Sequence, residues 1–122
     1  MRITARLATI VLALGVWSDA AKAGNCMLRP EAFQLSSDTV NWQFSLGAGL
    51  ECIQGLRYAA MLIDQVTLVD QPKGGLVAIS GPSFRYIANP QFHGTDSFTI
   101  LVAGSRRQVP GKSSIQVDVT VP

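Results

Sequence analysis

Two runs of alternating residues flank a short turn between Phe84 and Val102, and no other stretch restricts the fold so tightly. Phe84, Tyr86 and Ala88 share one face of the first run; Phe98, Ile100 and Val102 share one face of the second. Between them lies Asn89-Pro90-Gln91-Phe92-His93-Gly94-Thr95-Asp96, rich in turn formers. Side chains of a strand point to opposite faces in turn, so a period of two on both sides of a turn predicts two half-buried β-strands.

The same alternation recurs elsewhere. Val40, Trp42, Phe44 and Leu46 alternate with Asn41, Gln43 and Ser45. Near the C-terminus Ile115, Val117, Val119 and Val121 alternate with Ser114, Gln116, Asp118 and Thr120. Met61-Leu62-Ile63 and Val66-Thr67-Leu68-Val69 fit a helix by residue type, but Asp64 and Gln65 interrupt the apolar stripe and the β-branched residues favour strand. Leu76–Ser80 forms a further short strand after a Gln71–Gly75 turn. Phe33 and Leu35 fit a short edge strand beside Pro30, Gly47-Ala48-Gly49 ends the Trp42 strand, and 55–60 is ambiguous. Gly104 to Gly111 reads as a hairpin tip. About seven short strands with regular turn signals and no helical period predict an all-β, antiparallel β-sandwich.

Residues 1–23 read as a secretory signal peptide. Arg2 and Arg6 precede the uncharged run Leu7–Trp17, and Ala21-Lys22-Ala23 is an A-x-A cleavage site. The run is short for a membrane-spanning helix. Asn25 stands before Cys26, where a lipoprotein needs a small residue, so no membrane anchor is expected after cleavage. The expected mature chain, 24–122, is one domain in a secreted or periplasmic protein. The leader takes Arg2, Arg6, Lys22 and Asp19 with it, leaving 10 − 3 = 7 basic against 8 − 1 = 7 acidic residues. A chain with side-chain charges summing to zero has no global field for nucleic acid or an anionic membrane. In an oxidising compartment Cys26 and Cys52, the only cysteines, are expected to form a disulfide. With His93 the only histidine, a four-ligand Cys/His zinc site is out of reach.

The spacing Y-x-x-N-x-x-F-x-G-x-D-S-F over Tyr86–Phe98 resembles the signature of bacterial Ig-like and cadherin-like repeat domains, which often read Y-x-P-x-x-x-F-x-G-x-D-S-F. The resemblance extends from about Val66 to Val121 and implies an Ig-like sandwich, here as a single module. The chain departs from the pattern after Val102, where Ala103-Gly104 stand in place of the x-Asp-Gly those repeats often carry. A calcium site is therefore not carried over.

Residues capable of chemistry are sparse. Ser97, His93 and Asp96 have the types of a catalytic triad, but they crowd into five positions of one turn with no Gly-x-Ser-x-Gly elbow. Gly111-Lys112-Ser113 resembles the end of a phosphate-binding loop, yet Arg106 stands where its first glycine belongs and no helix follows. Glu31, Glu51, Asp64 and Asp70 are scattered acids with no evident pairing. Trp42 fits core packing better than sugar stacking; Tyr58 fits a surface aromatic near the disulfide.

The sequence thus assigns no catalytic residue, cofactor or metal. Gly94 and Asp96 are expected to shape the turn, Asp96 by accepting unpaired backbone N–H groups at the strand entry. Arg106, Arg107 and Lys112 form the one basic concentration, a candidate contact for an anion or a partner. The expected function is a non-enzymatic binding or structural module of the cell envelope with a protein or glycan partner. Two alternatives stay open: a small secreted enzyme or inhibitor using a Gly47–Gly55 loop, and an assembly subunit pairing through an open edge strand.

Overall fold

The structure, a computed structural model, describes residue 26, residues 30–57 and residues 60–122. The expected signal peptide and Tyr58 lie outside the described residues. Seven strands follow one another: β1 (Asp38–Ser45), β2 (Glu51–Gly55), β3 (Met61–Asp70), β4 (Gly75–Ile79), β5 (Ser83–Ala88), β6 (Gly94–Arg106) and β7 (Val109–Val121). They form two packed sheets, one of four strands in the order β1-β7-β6-β3 and one of three in the order β2-β5-β4. The all-β sandwich is thus present. Its pairing is antiparallel except that β1 runs parallel to β7, Val40 opposite Ile115 and Phe44 opposite Val119.

Alternation sets which faces meet. Val40, Trp42 and Phe44 of β1, Phe98, Ile100 and Val102 of β6, and Ile115 to Val121 of β7 turn inward from the large sheet; Phe84, Tyr86 and Ala88 of β5 turn inward from the small one. Tyr86 stacks on Phe98 at 5.8 Å, and Phe44 and Phe84 meet this pair edge-on at 5.8 and 5.4 Å. These are the offset and T-shaped geometries that aromatic quadrupoles favour. Trp42 is core, as expected, with its indole N–H donating to the Glu31 carbonyl at 2.6 Å.

Three local readings are corrected. Phe33 and Leu35 are buried but belong to no strand. Leu35 and Ser37 take positive φ (56° and 64°), and Asp38 and Ser113 side chains supply the hydrogen bonds that a ladder otherwise would. Next, Glu51–Gly55 is a strand, β2, paired with β5, so the Gly47–Gly55 stretch is not a free loop. Lastly, the β6–β7 strands run straight through Gly104 and Gly111, which sit opposite one another. The tip is only Arg107-Gln108, both left-handed (φ 52° and 68°), the backbone of a two-residue type I′ hairpin turn. The two glycines serve a close approach: a Cβ on Gly104 would strike the Leu62 carbonyl, and one on Gly111 the Leu35 carbonyl.

Cys26 and Cys52 are joined by a disulfide with their Cα atoms 5.6 Å apart, tying the start of the described chain to β2.

Candidate functional site

Asp96 sits third in β6, and its buried carboxylate accepts four hydrogen bonds. The donors are Lys73 N–H (2.9 Å), Gly74 N–H (2.8 Å), Tyr86 O–H (2.8 Å) and Ser97 N–H (3.0 Å). Only the last is local. The other three come from the β3–β4 turn and from β5 in the opposite sheet, so Asp96 ties the two sheets together instead of satisfying its own turn. Burial, with the hydrogen bond to and the charge of Asp96, pushes the Tyr86 phenol far above its usual range, which keeps it a neutral donor. Gly94 takes φ +136°, and a Cβ there would meet only ordinary contact, so backbone conformation and not space calls for glycine.

This tie shapes a cleft. β3 follows β6 only as far as the Asp70–Thr99 pair, reached through a register shift after Leu68. Beyond it β6 continues toward Gly94 with only β7 at its side. The β3–β4 turn, held by Asp96 through Lys73 and Gly74, stands opposite as a wall. The resulting cleft, about 720 Å³, is lined by Asp70, Gln71 and Lys73 on the turn side and by Thr95, Ser97, Asp118 and Thr120 on the sheet side.

The sheet side of the cleft continues into the outer face of the four-stranded sheet. Register aligns the outward residues of β1, β7 and β6 in rows: Thr39-Ser114-Leu101, Asn41-Gln116-Thr99, Gln43-Asp118-Ser97 and Ser45-Thr120-Thr95, the first two continued on β3 by Thr67 and Asp70. Of the 3 × 4 = 12 positions on β1, β7 and β6, ten carry a hydroxyl or an amide and Asp118 alone carries charge; Asp70, paired with Thr99, and Lys112, paired with Ala103, add one charge of each sign at the margins. Asn41 donates its amide to Asp118 Oδ2 (3.0 Å) and to the Gln116 carbonyl (3.4 Å), and Gln43 donates to Asn41 Oδ1 (3.1 Å). The Asn41 amide is therefore held across to β7, and Gln43 is held on Asn41 along β1.

The basic concentration does not converge. Arg106 falls on the inward line of β6 with Val102 and Gly104 and donates to Gln34 Oε1; Lys112 falls on the outward line of β7; Arg107 is at the turn. Alternation thus sends Arg106 and Lys112 to opposite faces of the hairpin. Nor do the triad types assemble: the His93 ring nitrogen Nδ1 lies 2.8 Å from the Pro122 carbonyl oxygen, and Asp96 is occupied as above. Ser113 is buried, accepting from Leu35 N–H (2.8 Å) and donating to Asp38 Oδ1 (2.6 Å). Burial alone would raise the Asp38 pKa, but this hydroxyl and the Ser36 and Gln34 N–H groups outweigh it and lower it to about 2. Of the scattered acids, Glu51 faces Arg85 at 3.8 Å, Glu31 accepts from Asn41 N–H (3.2 Å), and Asp64 lies at the β3 bulge. Asp70 alone lines the cleft.

Sequence reasoning passed over Thr95, Asp118, Thr120, Asn41, Gln43 and Gln116. Their signal was the outward half of each alternating run, polar yet almost free of Lys, Arg and Glu.

The free edges bear on the assembly alternative. The Gln71 side-chain amide both donates to the Val77 carbonyl (3.4 Å) and accepts from Val77 N–H (3.2 Å), filling the open edge of β4 as a neighbouring strand would. Glu31 covers Asn41 N–H on β1, and β3 is interrupted by two register shifts. Side-chain caps and bulges are the means by which exposed edges avoid pairing.

The chain matches no known protein-family model and no curated protein.

Proposed function

We propose that the chain is a secreted or periplasmic, non-enzymatic binding module of Ig-like architecture. Its contact surface is the outer face of the four-stranded sheet with the adjoining cleft. The observation that carries this reading is the row pattern: three strands present a continuous surface of hydroxyls and amides, with Asn41 and Gln43 ordered by hydrogen bonds, and this surface opens into a polar hollow. The disulfide fits an oxidising compartment, as does the sequence of the leader. The side-chain caps on β4 and β1 favour face contact over edge-strand assembly at those edges.

The test is to immobilise the 24–122 protein, pass envelope extract over it, and compare it with the outer-face variant Gln116→Lys and the opposite-face variant Ala78→Ser. Saturable retention that Gln116→Lys abolishes and Ala78→Ser leaves intact supports the reading. Retention indifferent to Gln116→Lys, or turnover of a hydrolase substrate panel, refutes it.

A further inference from the structure

We infer that the ligand of this face and cleft is a neutral, hydroxyl-rich glycan, an inference that rests on the binding-module reading above. Charge comes first. Charged residues are 15% of the chain, against about 25% in an ordinary soluble protein. Across β1, β7 and β6 Asp118 is the one charge among twelve aligned outward positions, and Asp70 of β3 and Lys112 of β7 stand at the margins of the face, one of each sign. A phosphate, an acidic polymer or a basic peptide would find no array of opposite charge there. A sugar chain, whose hydroxyls each donate and accept, meets groups of both kinds: Ser and Thr hydroxyls, amide N–H and C=O groups, and a carboxylate.

Preorganisation comes second. Asn41 and Gln43 are already ordered by the Asn41–Asp118 and Gln43–Asn41 hydrogen bonds, so a ligand need not freeze these side chains on binding. Asp118 accepts through Oδ2, and its Oδ1 is left to accept from a ligand hydroxyl. Shape comes third. The face is open along the strands, as an extended chain requires, and it ends in a hollow whose volume of about 720 Å³ falls within the range of small-molecule sites. There Thr95, Ser97 and Thr120 on one wall face Asp70 and Lys73 on the other, so a terminal sugar is surrounded by hydroxyl, carboxylate and ammonium groups. None of the twelve outward positions holds an aromatic residue for stacking, so recognition rests on hydrogen bonds, is weak per sugar unit, and gains from a repeating polymer.

The experiment is affinity electrophoresis of the 24–122 protein in native gels containing dextran, mannan or a soluble β-glucan, with alginate as the acidic control. Asp118→Ala, the double variant Thr95→Ala/Thr120→Ala and the opposite-face control Ala78→Ser are run alongside, with folding checked by circular dichroism. Retardation by at least one neutral polymer is expected. Asp118→Ala should weaken it about ten- to a hundred-fold, as loss of a hydrogen bond to a charged group does. Ala78→Ser should leave it unchanged. Absence of retardation in every neutral polymer, retardation by alginate alone, or retardation insensitive to the face variants overturns the inference. A protein component retained from envelope extract and lost in Gln116→Lys would overturn the glycan while leaving the binding-module reading standing.

Discussion

Replacing Asp96 by alanine removes a carboxylate that joins β6, β5 and the β3–β4 turn. Asp96 is 7% exposed, and of its four hydrogen bonds those from Gly74 N–H and Tyr86 O–H are buried, whereas those from the exposed residues Lys73 and Ser97 are only partly so. Water can replace the carboxylate at Lys73 and Ser97, so the cost concentrates on the two buried donors. A buried donor left unpaired costs about 1–3 kcal/mol, giving roughly 3–5 kcal/mol for the pair once the charge-assisted character of the bonds is included. For a domain whose whole stability is on the order of 5–15 kcal/mol, that is a large fraction. Tyr86→Phe separates the contributions: it removes one donor and leaves no donor stranded, so about 1–2 kcal/mol is expected. Asp96→Asn keeps the shape but places an N–H₂ where one acceptor oxygen was, and should fall between the two. Urea unfolding followed by circular dichroism at neutral pH measures all three. If Asp96→Ala unfolded within 1 kcal/mol of the wild type, the cross-sheet tie would not be what holds the turn.

Four further outcomes are expected. Asp38 has a lowered folded pKa, about 2, so its carboxylate network stabilises the fold above the unfolded value and loses that contribution as pH falls from about 4 to 2. Asp38→Asn should remove about 1–2 kcal/mol at pH 7, allowing for solvent screening, and flatten the acid limb of stability against pH. Gly104→Ala forces a Cβ against the Leu62 carbonyl and should cost about 1–3 kcal/mol by displacing β3, seen as faster amide exchange across β3 than across β7. Cys26→Ser/Cys52→Ser opens a link between residues 26 positions apart, for which chain entropy gives about 3–4 kcal/mol by thermal unfolding. Arg107→Asn/Gln108→Gly relieves two left-handed non-glycine residues at the hairpin tip and should raise stability by about 1–2 kcal/mol in urea titrations.

The parts of this fold legible in the sequence are those where both strand faces announce themselves. β5, β6, β7 and β1 alternate large apolar residues with polar ones, and their inward sides are as expected. β2 gives no such signal, because its buried residues are Cys52 and Gln54 while Ile53 points outward, which inverts the usual pattern. Gly104 and Gly111 mislead for a different reason. Glycine marks turns through its backbone freedom, but it also marks close approach, and only the positions of Leu62 and Leu35 distinguish the two. The Asp96 donors lie 22 and 23 positions away in the chain for Gly74 and Lys73, a separation that no local turn rule reaches. The cleft was illegible because it depends on where β3 stops following β6, and a register shift leaves no mark in residue type.

The capped edges and the sparse net charge bear on the same physical problem. A sandwich whose expected mature side-chain charge sums to zero lacks the net-charge repulsion that helps keep proteins apart. Sheet edges are then the weak points, since unpaired N–H and C=O rows template pairing with another copy. Here the Gln71 amide occupies Val77 on β4, the Glu31 carboxylate occupies Asn41 on β1, and β3 is bent at two bulges. The β4 and β1 edges are thus occupied at these points by side chains and the β3 edge is interrupted by its register shifts, means of limiting edge pairing that need no surface charge. The β4 cap is testable in one variant. Gln71→Ala strips Val77 of both its partners, and sedimentation velocity should show concentration-dependent association absent from the wild type. A strictly monomeric Gln71→Ala protein would mean that the β4 edge is protected by something other than this amide.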